Sequence, residues 1–161
     1  MQRESDPGFT LIEMLVVLIV IGVGAALVYA KLESDPRQTA LRESRRFAAA
    51  LEHAALLAQW RNQTLGFSAA GTAYRFWRRS SDGGWVALSD DAVLAPHRLP
   101  ASLVVTPQTY GAVRVPAESI LPLRASGRNE PYQLEIAAPE WRVELIADPL
   151  NRVNLVGPLP R

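Results

Sequence analysis

The run Gly8-Phe9-Thr10-Leu11-Ile12-Glu13 leads straight into an apolar stretch, Met14 to Ala30, and the reading of this junction decides the fold. From Phe9 to Ala30 the only polar side chains are Thr10, Glu13 and the hydroxyl of Tyr29. A bilayer core of ~30 Å takes about 20 residues of helix, so the segment is long enough to span. It is polar on no side, unlike a helix that lies on a soluble core. A carboxylate at the head of such a helix is expensive. On insertion scales an acidic residue at a helix centre costs about 2.5–3.5 kcal/mol, and less toward an end. An ionisable group in that setting marks a function and calls for a partner.

Two simpler readings compete. A secretory signal uses a similar apolar run and would be cut after Val28-Tyr29-Ala30. Against it, the side chains before the run are net acidic (Glu4 and Asp6 against Arg3), and Glu13 sits where the apolar region should begin. A plain signal anchor leaves Glu13 without a role. Charge counting adds a conflict over topology. Lys31, Arg37, Arg42, Arg45 and Arg46 follow the stretch, whereas only Arg3 and the amino terminus precede it. Counted alone, these charges put the following domain in the cytoplasm.

The remainder of the 161 residues has room for one soluble domain of modest size. A formal charge of +1 is too weak an imbalance to argue for nucleic acid. With no cysteine there is no disulfide, thiolate zinc site or cysteine nucleophile, and the core must be held by packing. Leu41, Phe47, Ala48, Leu51, Ala54, Ala55 and Ala58 recur at three- and four-residue steps, an amphipathic helix with one narrow apolar stripe. Its alanines suit close approach to a flat partner such as a sheet. Pro36 disrupts a helix locally, so one helix is expected from Phe9 to about Asn62, loosened near Asp35-Pro36.

Beyond Gln63 the pattern turns to strands. Tyr74 to Arg78 and Trp85 to Leu88 flank Ser80-Ser81-Asp82-Gly83-Gly84, a hairpin signal. Leu103 to Val105, Val113 to Val115, Ile120 to Leu123, Tyr132 to Ile136, Trp141 to Ile146 and Arg152 to Val156 follow. Tyr132, Leu134 and Ile136 share a face, as do Trp141, Val143 and Leu145. The fold class is α+β, a long N-terminal helix on an antiparallel β-rich domain.

The N-terminal stretch resembles the type IV prepilin signal: a short polar leader, a glycine at the cut, then an aromatic-led hydrophobic helix. The resemblance implies cleavage by a prepilin peptidase between Gly8 and Phe9, N-methylation of Phe9, and an assembly salt bridge from Glu13 to the new amine of a neighbouring subunit. It divides the chain into a leader (1–8), a transmembrane and polymerisation helix (9–31), its amphipathic continuation (32–62) and a β-rich soluble domain (63–161). The final third narrows the resemblance. Ile120-Leu121-Pro122-Leu123-Arg124-Ala125-Ser126-Gly127-Arg128, Tyr132 to Ile136, and Trp141 to Ile146 with Asp148 and Asn151-Arg152-Val153 are similar to the type H family of minor pseudopilins. The expectations that follow are a type II secretion subunit at or near the tip of a periplasmic pseudopilus, anchored by a single pass of the bacterial inner membrane. Its partners would be minor pseudopilins of types I, J and K, the major pseudopilin of type G, the prepilin peptidase and the inner membrane.

The alternative is a minor type IV pilin of the FimT kind, acting in pilus assembly or DNA uptake. Such pilins use a basic C-terminal tail and often a disulfide; this chain ends Leu155-Val156-Gly157-Pro158-Leu159-Pro160-Arg161 and has no cysteine. Arg75, Arg78 and Arg79 with Tyr74, Phe76 and Trp77 would suit single-stranded nucleic acid, but half-buried strand alternation explains them more simply. No nucleic-acid partner is expected. Nor is an enzyme: His53 and His97 lie in no zinc motif, the carboxylates are scattered, and Gly83-Gly84 is a turn. Asp148, Asn151 and Asn154 are too sparse for a calcium shell of six to eight ligands. No metal, cofactor or catalytic residue is expected.

Overall fold

The computed structural model describes residues 11–32 and 35–161, with side chains of the first helix described to Ala26. The chain divides into two compact units at the Asp35–Pro36 boundary. The first is carried by helix α1, Leu11–Leu32. Its side chains from Leu11 to Ala26 are all exposed, among them Leu11, Leu18 and Val20 at 87, 68 and 64%. Among the described residues no helix is long and apolar enough to cross a membrane.

Helix α2, Pro36–Trp60, opens the second unit. The helix expected from Phe9 to about Asn62, loosened near Asp35-Pro36, is two helices, the second beginning at Pro36, and proline is the reason. Pro36 takes the first helical position, where a missing N–H is no loss and a preset φ helps. It also biases the preceding residue away from helical geometry. At the other end Asn62 turns left-handed (φ 47°). The Asn62 N–H then donates to Gln59 O and the Gln63 N–H to Ala58 O, a Schellman close.

Ten strands follow: β1 (Leu65–Ala70), β2 (Ala73–Arg79), β3 (Trp85–Ala87), β4 (His97–Arg98), β5 (Val104–Tyr110), β6 (Val113–Arg114), β7 (Leu121–Leu123), β8 (Tyr132–Ala137), β9 (Trp141–Ala147) and β10 (Val153–Pro160). They form two antiparallel five-stranded sheets. One runs β3-β2-β1-β7 with β4 also on β2; the other runs β10-β9-β8-β5-β6. The hairpin at Asp82–Gly84 and the strands over Tyr132–Ile136 and Trp141–Ile146 are found where the pattern placed them. Strand β1 was not anticipated, and the stripe of α2 faces two sheets rather than one.

Of the expected stripe, Phe47, Ala48, Leu51, Ala54, Ala55 and Ala58 are buried and Leu41 is half-buried, and Ala40, Ser44 and Ala50 join the buried set. Buried Ser44 satisfies its hydroxyl by donating to Ala40 O at 2.8 Å. Phe47 stacks on Tyr74 of β2 at 4.0 Å and meets Phe67 of β1 and Phe76 of β2 edge-on. Such pairs add about 0.5–1.5 kcal/mol beyond area burial. Toward the second sheet α2 is held by polar bonds. Asn151, 2% exposed, donates from Nδ2 to Leu51 O at 3.0 Å and accepts from the Tyr132 hydroxyl at 2.9 Å. The Val153 N–H donates to Glu52 Oε1 at 2.9 Å. At the start of α2, the Arg37 guanidinium lies over the Trp141 ring, 3.5 Å from its centroid.

Candidate functional site

Glu13 is the acidic residue of the first turn of α1, where the positive end of the helix dipole favours a carboxylate. Its side chain is exposed, with Leu11, Ile12 and Met14 exposed around it at 87, 71 and 56%. The helix therefore delivers one charge at the rim of an apolar surface without an apolar cover of its own. Gly8 and Phe9, the residues of the expected cleavage and methylation, lie outside the described residues.

The two histidines have carboxylate partners that no local pattern could reveal. His97 Nε2 lies 2.8 Å from Glu43 Oε2, and His53 Nε2 lies 3.2 Å from Asp91 Oδ2. The His53–Asp91 pair fastens the segment between β3 and β4 to α2, and the His97–Glu43 pair fastens the head of β4 to it. Asp91 also accepts the N–H groups of Val93 and Leu94. Burial alone would raise the Asp91 pKa, but the His53 bond and those N–H groups outweigh it and hold the carboxyl below the usual range.

Two of the three side chains weighed for calcium, Asp148 and Asn151, have structural partners. Asp148 accepts the N–H groups of Leu150 and Arg152 and the Arg152 guanidinium, which keep its pKa low. Asn151 holds α2 to the second sheet, as described above. Among the described residues no group of three or more His, Asp or Glu side chains is arranged to hold a metal.

The aromatic-basic run on β2 splits between two faces. Tyr74 and Phe76 are core residues, whereas Arg75 and Arg79 are exposed and Trp77 is half-buried. Burial pushes the Tyr74 hydroxyl up to about 12. Arg79 sits over the Trp85 ring at 4.9 Å. Two of the three rings considered for base stacking are therefore inside the protein.

Residues 6–29 match the prokaryotic N-terminal methylation motif. Over 113 residues, 69% of this chain, the sequence is 27% identical to type II secretion system protein H of Aeromonas hydrophila and covers 62% of it. A 38-residue stretch, 24% of the chain, is 50% identical to type II secretion system core protein G of Pseudomonas aeruginosa and covers 27% of that protein. The chain thus spans less than two thirds of the length of either curated relative. The minor pseudopilin EpsH from the type II secretion system of Vibrio cholerae superimposes with a TM-score of 0.62 at 20% identity, over 79% of this chain and 99% of that one. The solution structure of Escherichia coli GspH gives 0.57 at 20% identity, over 75% and 89%. The chain thus carries a prokaryotic N-terminal methylation motif at its head and has the fold of the minor pseudopilins EpsH and GspH.

Proposed function

We propose that the protein is a minor pseudopilin of a type II secretion system, a structural subunit at or near the tip of the periplasmic pseudopilus that drives export of folded proteins across the outer membrane. One observation carries the reading: a prepilin-type head with Glu13 in the first helical turn precedes a soluble unit with the pseudopilin H fold. The chain is inserted in the inner membrane by Phe9 to Ala30, cleaved after Gly8 and methylated on Phe9. Its apolar helix then leaves lipid for a bundle of equivalent helices from minor pseudopilins of types I, J and K and the major type G. Within that bundle Glu13 pairs with the Phe9 amine of an adjacent subunit. Removing one member of such a buried pair leaves an uncompensated charge, a loss of about 3–5 kcal/mol. The pair sets register between subunits more than it adds stability.

The test combines processing with assembly. N-terminal sequencing of mature protein should begin at Phe9, and Gly8→Ala should leave the leader in place; a mature chain beginning at Lys31 would overturn the reading. Glu13→Leu should be processed normally, fail to co-purify with the other pseudopilins and depress secretion. A periplasm-active reporter fused after Arg161 should be active, and silence would vindicate the positive-charge count over the proposed topology. Tight, salt-sensitive DNA binding by the protein would favour the uptake alternative.

A further inference from the structure

The outer face of the first sheet changes character along its length. Strand β1 presents only Gly66, Ser68 and Ala70 on it, opposite Trp77, Arg75 and Ala73 of β2. At one end Trp85 and Ile120 close over Gly66, where a Cβ would lie 2.9 Å from the indole and 2.8 Å from Ile120 Cγ2. Trp77 is fixed beside them, its Nε1–H donating to Ser68 Oγ at 2.9 Å. Where the small residues continue, the face opens into a groove of about 440 Å³, with Ser68, Ala70 and Ala73 as floor and Trp77 and Ile120 as walls. Arg75 and Glu118 also line it, and neither side chain makes a hydrogen bond, ion pair or ring contact among the described residues. Glu118 stands at φ 68° in the Pro116–Ser119 turn, a backbone position that favours glycine. The strained turn thus sets a carboxylate on the groove, opposite in charge to Arg75.

We propose that this groove receives an extended polypeptide segment of a neighbouring fibre subunit, with an acidic side chain against Arg75, a basic one against Glu118 and an apolar one on Trp77. Charge decides the class of occupant, since Glu118 repels a polyanion that Arg75 alone would attract. The groove lies open on a sheet face, so a short segment gains little affinity there by itself. A neighbour held alongside in a fibre supplies the effective concentration that a freely diffusing chain lacks. To that extent the inference rests on the proposed function.

The experiment places a photo-crosslinking residue at Ala73 of the full chain in the source bacterium and identifies the adduct by mass spectrometry. The expected adduct is another chain with a prepilin head, joined through a segment that carries an acidic residue. Arg75→Glu should lower its yield at least tenfold, and changing that acidic residue of the partner to arginine should restore it. Because the Arg75 side chain is exposed and has no partner among the described residues, the variant should melt as the parent does; should it not, Arg75→Gln supplies the same reading. An adduct unaffected by Arg75→Glu, an adduct to nucleic acid or to an exported protein, or no adduct overturns the proposal. Secretion is scored in the same cells beside Glu13→Leu. A failed groove leaves secretion dependent on Glu13, whereas a failed fibre reading removes that dependence.

Discussion

Helix α1 has 22 residues and α2 has 25, yet they handle apolar side chains in opposite ways. Helix α2 gathers its apolar groups on one stripe and covers them with two sheets of its own chain, Phe47 and Leu51 reaching complete burial. Helix α1 carries apolar groups on every side, and within the chain they stay exposed from Leu11 to Ala26. A soluble unit satisfies the first arrangement by folding. The second can be satisfied only by something outside the polypeptide, whether lipid or other helices. The difference between the two helices is therefore written into their periodicity: one has a stripe its own chain can cover, and the other does not.

The comparison breaks most readily at Phe47. Phe47→Ala should lower the stability of the second unit by about 3–5 kcal/mol, as for other large-to-small core changes. Ile19→Ala in α1, a deletion of comparable kind, should move the same unfolding transition by less than about 0.5 kcal/mol. Equal effects in a denaturant titration would show that α1 belongs to the folded core. Asn151→Ala should come next, at about 1–3 kcal/mol, because the Tyr132 hydroxyl and the Leu51 carbonyl lose their buried partner. Ala54→Leu should also destabilise by about 1–3 kcal/mol, since the stripe is packed against sheets with no room for three more carbons.

The smallest effect is the pH dependence. Asp91 and Asp148 both have lowered pKa values in the folded protein. Their contribution is present in full above the ordinary carboxylate pKa of about 3.9 and is lost as pH falls through their folded values. Unfolding midpoints followed from neutral to acid pH should decline less steeply in Asp148→Asn than in the parent.

Much of this architecture was legible from local pattern. The α2 stripe, the hairpin at Asp82–Gly84 and the alternation of Tyr132, Leu134 and Ile136 each follow from one period and one kind of turn. Strand β1 was not, because four of the six residues in Leu65-Gly66-Phe67-Ser68-Ala69-Ala70 are small and none is β-branched. Its glycine fits a contact with Trp85 and Ile120 that exists only after folding. Strand β10 continues to Pro160 past a register shift, and its prolines disguise it as a tail. The histidine clasps join residues 38 and 54 positions apart, beyond the reach of any periodicity. Glu13 stood out because a charge in an apolar run is local information. Arg75 and Glu118 did not, because only the fold brings them to one groove.

The bonds from Asn151 and Val153 back to Leu51 and Glu52 have a consequence for the order of events during synthesis. They link positions 100 and 101 residues apart. Helix α2 is among the first parts of the soluble unit to be made, but its seat on the second sheet does not exist until the β9–β10 hairpin has emerged. Until then helix α2 waits for its last strands. The carboxyl-terminal hairpin is therefore the closing stitch of the fold, and a chain released before it would carry an unseated helix.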